Sequence, residues 1–262
     1  MVIVQSLWVG NSLSNMEVCC IKSFLKHGFT FHLYTYEPVK RIPKGTIVKD
    51  ANEIMLHKEI FKLKETLLPF SDIWRYKLLY LKGNYWVDMD MICLRPFNFR
   101  EKFIFSSERT IQKGAYAMSV PFVPNIGILK APKGSEFYLE LFNICNEHNK
   151  KGKKKEKIKY MRILRDLIKK HKMEKYVKTP DFFCNLDWWY SKDAFLPVKE
   201  FKTKYGVDGR SYSEVVKGRK GEKRPYTLHF WRDLVTKKYK IDLNDKFDPD
   251  CLWERVTKGL LD

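Results

Sequence analysis

Asp88 and Asp90 stand one residue apart, directly after the apolar segment Tyr85-Trp86-Val87 and directly before Met91-Ile92-Cys93-Leu94. Two carboxylates at that spacing can both reach one divalent cation, directly or through water, and leave coordination positions open for the oxygens of a diphosphate. Such a cation neutralises charge on a departing nucleoside diphosphate, which is Lewis-acid and leaving-group catalysis together. Hard oxygen ligands favour manganese or magnesium over zinc. An isolated Asp-x-Asp is commonly a solvated turn. This pair, however, lies between apolar stretches, where a carboxylate needs a partner to offset its desolvation.

The pair must be held at the end of a strand, and the surrounding pattern supplies one. Residues 2–8 and 29–35 are strand-like, and residues 14–27 carry Met16, Cys19, Cys20, Phe24 and His27 at helical spacing. After Pro38 and Pro43-Lys-Gly45, Thr46-Ile-Val48 reads as a short strand. A helix capped by Ser71 or Asp72 is predicted to run to Lys82 and stop at Gly83. Tyr85-Trp-Val87 then forms a strand that delivers Asp88 and Asp90 at its carboxyl end, where ligands collect in open α/β sheets. The β-α-β start predicts an α/β fold with a mainly parallel sheet flanked by crossover helices.

Further on, strands are expected at 102–106 and 126–130 and a helix at about 135–147. A lysine run at 150–159 precedes a basic amphipathic helix at roughly 158–172, with Ile158, Met161, Leu164, Leu167 and Ile168 on one face. This pair of features reads as a solvated loop and a one-sided surface helix, or as a surface that docks on an anionic membrane or a polyanionic glycan. From 180 onward the chain is less regular and aromatic, with a short last helix expected over 250–261. No internal repeat or linker divides the chain, so a single domain over 1–262 is expected.

Composition narrows the function classes. The 262 residues are 44% hydrophobic and 15% aromatic, enough for a full core, which excludes a disordered or fibrous protein. Residues 1–8 lack the charge and length pattern of a signal peptide, and no run is long and apolar enough for a membrane span. A cytoplasmic protein, able at most to lie peripherally on a membrane, is the expectation. Six scattered cysteines without metal-ligand spacing read as reduced core thiols. A net charge of +19 implies a negative partner but does not choose among nucleic acid, membrane and acidic substrate.

The block Ser71-Asp72-Ile-Trp-Arg75-Tyr76, Tyr80, Gly83, Trp86-Val-Asp88-Met-Asp90 and Arg95-Pro96 resembles the central block of the D-x-D sugar transferases. That group includes initiation-type mannosyltransferases, capsular polysaccharide synthesis proteins and glucosylating bacterial toxins. Gln5-Ser-Leu-Trp8-Val9-Gly10 is similar to the group's first strand and loop, with looser likeness around Asn125-Ile-Gly127 and His229-Phe-Trp231. Asn84 and Trp86 stand where the group usually has glycine and tyrosine.

The resemblance implies a GT-A-like, Rossmann-like fold and a metal-dependent glycosyltransferase that carries a hexose or deoxyhexose from a UDP- or GDP-linked donor to a glycan or glycolipid, with retention. It implies a nucleotide-sugar part over 1–130 and an acceptor-side part over 131–262. Trp8 would stack on the nucleobase, and Asp72 and Arg75, one helical turn apart, would hold sugar hydroxyls and phosphate. Asp88 would contact sugar or metal-bound water, Asp90 the metal, and His229 the metal or phosphate. Gln5, Val9, Tyr76, Trp86, Met89 and Asn125 complete the candidate donor contacts. Trp188, Trp189 and Tyr190 could stack on acceptor sugars or pack in the core, and Trp8 and His229 could equally be core residues. If transfer inverts, a carboxylate base is needed near the acceptor hydroxyl, for which Asp187 is the candidate.

Two other classes remain open at this stage. A nucleotidyltransferase also uses paired carboxylates and a metal, but Val9-Gly10-Asn11 is poor in the glycine its phosphate loop would need. A non-catalytic nucleic-acid binder would use the charge, but the aromatics are not interleaved with arginines along a strand.

Overall fold

A computed structural model describes residues 2–63, 66–109, 122–150, 160–205 and 207–261. Most of the lysine run, 151–159, lies outside the described residues. The central sheet has six strands: β1 (Ile3–Trp8), β2 (Thr30–Thr35), β3 (Ile47–Asp50), β4 (Asn84–Val87), β6 (Ile104–Arg109) and β7 (Phe122–Ala131), with β5 (Met91–Cys93) set apart. Their order is β3-β2-β1-β4-β7-β6. The first four run parallel, and β7 runs antiparallel to both β4 and β6. This is the expected mainly parallel α/β sheet.

The sheet is buried on both faces because successive side chains of a strand point to opposite sides. In β4, Tyr85 and Val87 join the core beneath α1 (Asn15–Lys26), whereas Trp86 joins the core beneath α2 (Leu68–Lys82). Ser14 and Glu17 form a reciprocal capping box at the start of α1, and Met16, Cys19, Cys20 and Phe24 turn inward from it.

α2 begins earlier than its capping signal predicts. It starts at Leu68, with Pro69 in its first turn, so Ser71 and Asp72 lie inside the helix and cap nothing. The Ser71 carbonyl and hydroxyl accept instead from Arg75, at 3.3 and 3.1 Å. Gly83 ends the helix with φ of 64°, and a Cβ there would come within 2.4 Å of the Lys133 amide nitrogen. Asn84 follows at φ 66°, a left-handed conformation that asparagine tolerates better than most residues, so it can replace the usual glycine.

The basic amphipathic helix is α4 (Tyr160–Lys170), after α3 (Glu136–Lys150). Its apolar stripe of Leu164, Leu167 and Ile168 is buried with Tyr138, Leu141 and Cys145 of α3. These three residues are core; Met161 of the expected stripe is half-buried and lines a pocket, and Ile158 lies outside the described residues. No helix among the described residues is long and apolar enough to cross a membrane.

Beyond α5 (Pro180–Phe183), β8 (Glu200–Phe201), β9 (Arg210–Ser211) and α6 (Tyr212–Lys217), β10 (Thr227–His229) pairs antiparallel with β5, and α7 (Leu252–Thr257) follows. The β5–β10 ladder sets His229 opposite Met91, one residue past Asp90. Through it, two segments nearly 140 residues apart in sequence form one site.

All six cysteines are buried free thiols. Burial pushes the Cys19 and Cys93 thiols up to about 12 and Cys20 well above its usual range, so thiolate is scarce at neutral pH. None of the six should react with Ellman's reagent at pH 8 in the native protein within minutes, and all six should react in guanidinium. A fast native thiol would contradict this packing.

Candidate active site

Asp88 and Asp90 leave the carboxyl end of β4, as the sequence predicts. The Asp88 amide donates to the Gly127 carbonyl at 2.8 Å, tying the pair to β7. Gly127 must lack a side chain here: a Cβ would lie 2.8 Å from Asn125 Oδ1, 3.2 Å from Met91 Sδ and 3.5 Å from His229 Cε1.

Asp88 Oδ1 receives Arg75 Nη1 at 2.6 Å and Trp86 Nε1 at 2.8 Å. Arg75 is 3% exposed and also reaches Asp72 at 3.1 Å and the Ile126 carbonyl at 3.0 Å, while its guanidinium stacks over the Trp86 ring. The indole at position 86 therefore supplies both a donor to Asp88 and a platform for Arg75. Burial raises the Asp88 carboxyl despite the arginine. Asp72 is likewise raised by burial to about 6, with Arg75 pulling the other way.

A raised carboxyl stabilises the fold below its unfolded value of 3.8, and that contribution fades as pH climbs through about 6. Asp72→Asn cannot titrate. Its unfolding free energy relative to wild type should rise between pH 4 and 7, by up to roughly 3 kcal/mol at about 1.4 kcal/mol per decade of proton affinity. Chemical denaturation across that range measures it, and a pH-independent difference would count against the buried assignment.

Asp90 has a different environment. Its Oδ2 lies 3.2 Å from His229 Nε2 and accepts the Arg232 backbone N–H at 2.8 Å. Trp231 turns the chain for that contact with φ of 55°, a region rare for a bulky side chain, and its ring stacks on His229 at 3.9 Å. Burial would raise the Asp90 carboxyl, but the His229 charge and these hydrogen bonds outweigh it and hold the carboxyl low. Burial would lower His229, but Asp90 keeps it well above its ordinary value. The second oxygen, Asp90 Oδ1, is buried without a hydrogen-bond partner.

One oxygen or nitrogen each from Asp88, Asp90 and His229 lie within 4.8 Å of one another. Two hard carboxylate oxygens, an imidazole and an orphaned carboxylate oxygen fit a divalent cation such as manganese or magnesium. The three residues open into a pocket of about 620 Å³ that is also lined by Glu108, Asn125, Trp188, Trp231, Lys237 and Lys238. The two lysines place cationic charge in the same pocket as the carboxylates, as an anionic ligand with a metal would require.

The structure therefore brings together Asp88, Asp90, His229, Asn125 and Trp188 from the sequence-predicted set, with Arg75, Asp72 and Trp86 supporting Asp88 from behind. The other candidates sit elsewhere. Gln5 is 1% exposed and donates to the Gly83 carbonyl at 2.7 Å. Tyr76 and Met89 are buried in the cores, and Val9 is half-buried beside them. Trp8 is half-buried under the Arg232 guanidinium, and its indole nitrogen has no partner. Trp189 and Tyr190 are each 2% exposed, within the core. Asp187 is 3% exposed and paired with Arg109 at 2.9 Å, so its charge is committed within the protein. Glu108, Lys237 and Lys238 were not singled out from sequence. Glu108 lies two residues past the strand expected at 102–106, and the lysines stand among many.

Residues 15–109 match the family model of the glycosyltransferase sugar-binding region containing a DXD motif. That stretch of the chain is similar to the sugar-binding region of the DXD glycosyltransferases. The match ends at Arg109, so it contains the DXD pair, Asp72 and Arg75, whereas His229 and the lysines come from outside it. A solved structure titled PaToxG glycosyltransferase aligns over 64% of this chain and 69% of its own, at 11% identity and a TM-score of 0.45. No curated protein matches the chain.

Proposed function

We propose that the protein transfers a hexose or deoxyhexose from a nucleotide-diphosphate sugar to a glycan or glycolipid acceptor. The observation that carries this reading is the convergence of Asp88, Asp90 and His229 donor atoms within 4.8 Å in a pocket that also holds two lysines. Asp88, Asp90 and His229 would hold manganese or magnesium, which when bound offsets the charge on the departing diphosphate.

The chain's own residues supply the rest. Arg75 and Trp86 fix one oxygen of Asp88, leaving the other for the sugar or the metal shell. The Arg232 amide and His229 orient Asp90, so the constellation is formed before the donor arrives, and preorganised charge of this kind is the largest single contribution in many enzymes. Lys237 and Lys238 bind phosphate oxygens, and Trp8 offers a ring to the nucleobase. The test is calorimetric titration of UDP-, GDP- and dTDP-linked sugars with manganese and then with EDTA. Metal-dependent binding of donors sharing one base is expected. No binding of any donor in either condition would overturn the proposal.

A further inference from the structure

Glu108 is the pocket carboxylate that the donor site does not use. It stands near the end of β6, half-buried, and lines the same pocket as Asp88, Asp90, Trp188 and His229. The other pocket carboxylates are each engaged by a cation or a metal-site partner: Asp88 by Arg75, Asp90 by His229, Asp233 by Lys237. Among the described residues Glu108 has one hydrogen bond, from the neutral Asn125 amide at 2.8 Å to Oε2.

That bond is built rather than incidental. Asn125 Oδ1 accepts the Gly127 backbone N–H at 2.7 Å, which fixes the amide so that its Nδ2 must face Glu108. Asn125 is itself 3% exposed, and its carbonyl accepts from Ser106 Oγ at 2.9 Å. A buried, backbone-anchored side chain thus holds a carboxylate in the pocket and leaves its remaining lone pairs for hydroxyl donors. Trp188 adds a half-buried ring to the same pocket, stacked against Tyr205. A carboxylate that accepts hydroxyl protons beside an indole plane that accepts C–H faces is the chemistry that recognises a pyranose.

We infer that Glu108, held by Asn125 and flanked by Trp188, is the acceptor-binding carboxylate, taking hydrogen bonds from hydroxyls of a neutral sugar acceptor. This rests on the transferase reading and deepens it by naming the acceptor class. A carboxylic-acid or phosphate-bearing sugar is disfavoured at that contact, because a second negative charge against Glu108 would repel it.

The experiment uses the full chain with manganese and whichever nucleotide sugar binds, and a panel of methyl pyranosides with their uronic-acid counterparts as acceptors. Glu108→Gln preserves shape and the Asn125 contact, and its melting temperature and donor affinity should stay within experimental scatter and about twofold of wild type. Its KM for neutral pyranosides should rise at least tenfold while hydrolysis of the donor by water is unchanged, and Trp188→Ala should act in the same direction. Glu108→Gln should also narrow the preference for neutral over uronic-acid acceptors. An unchanged acceptor KM, or preferential transfer to uronic acids by wild type, overturns the inference. If no donor binds wild type, the transferase reading itself falls and the inference with it.

Discussion

Replacing Asp90 with asparagine lowers turnover on the order of a hundredfold or more and abolishes the manganese dependence of donor binding, while the protein stays folded. Asparagine keeps the size of the side chain and can still accept the Arg232 N–H, so the turn at Trp231 survives. It removes the negative charge that holds His229 high and that a divalent ion would need, and removal of one preorganised electrostatic contact of this kind costs about 3 kcal/mol or more in the transition state. Steady-state donor hydrolysis with and without EDTA measures both effects. Turnover within a fewfold of wild type would remove Asp90 from the site.

Replacing Arg75 with alanine should be the most destabilising single change near the site. Arg75 touches Asp72 at 3.1 Å and Asp88 at 2.6 Å with only 3% exposure. Its loss strands the buried Asp72 and the half-buried Asp88 carboxylates, and removing one partner of a buried ionic group costs about 3–5 kcal/mol. For a chain of this size that is a fall in melting temperature on the order of 10 °C. Arg75→Lys should recover part of the stability but little of the activity, because one ammonium cannot bond Asp72, Asp88 and the Ile126 carbonyl together. Guanidinium denaturation of both variants tests this, and a loss below about 1 kcal/mol for alanine would contradict the network.

These two residues mark what the sequence made legible. The strands before and after α1, the delivery of Asp88 and Asp90 by β4 and the stop at Gly83 all follow from local periodicity and turn chemistry, and they survive in the structure. His229 could be named as a metal partner only through the family likeness, since nothing local says that β10 will pair with β5.

The differences come from contacts that local pattern does not encode. Ser71 and Asp72 look like caps, yet Pro69 lets α2 start a turn earlier, and both then serve Arg75. Leu164, Leu167 and Ile168 on α4 have the period of an interfacial helix, but α3 supplies their cover. Asp187 looks available until Arg109, 78 residues away, takes its charge. Of the aromatic run, Trp188 reaches the pocket while Trp189 and Tyr190 turn into the core, a division set by one short 3-10 turn. Glu108 is seen only once β6 and β7 pair and Asn125 turns toward it.

The most direct test of the metal centre is an anomalous difference map at the manganese edge, from crystals grown with manganese and the nucleoside diphosphate of the donor that binds. The account predicts one strong peak bonded to Asp90 and within direct or water-mediated reach of Asp88 and His229, with diphosphate oxygens completing the shell. A peak elsewhere, or a diphosphate bound in the pocket without metal at these residues, would contradict it.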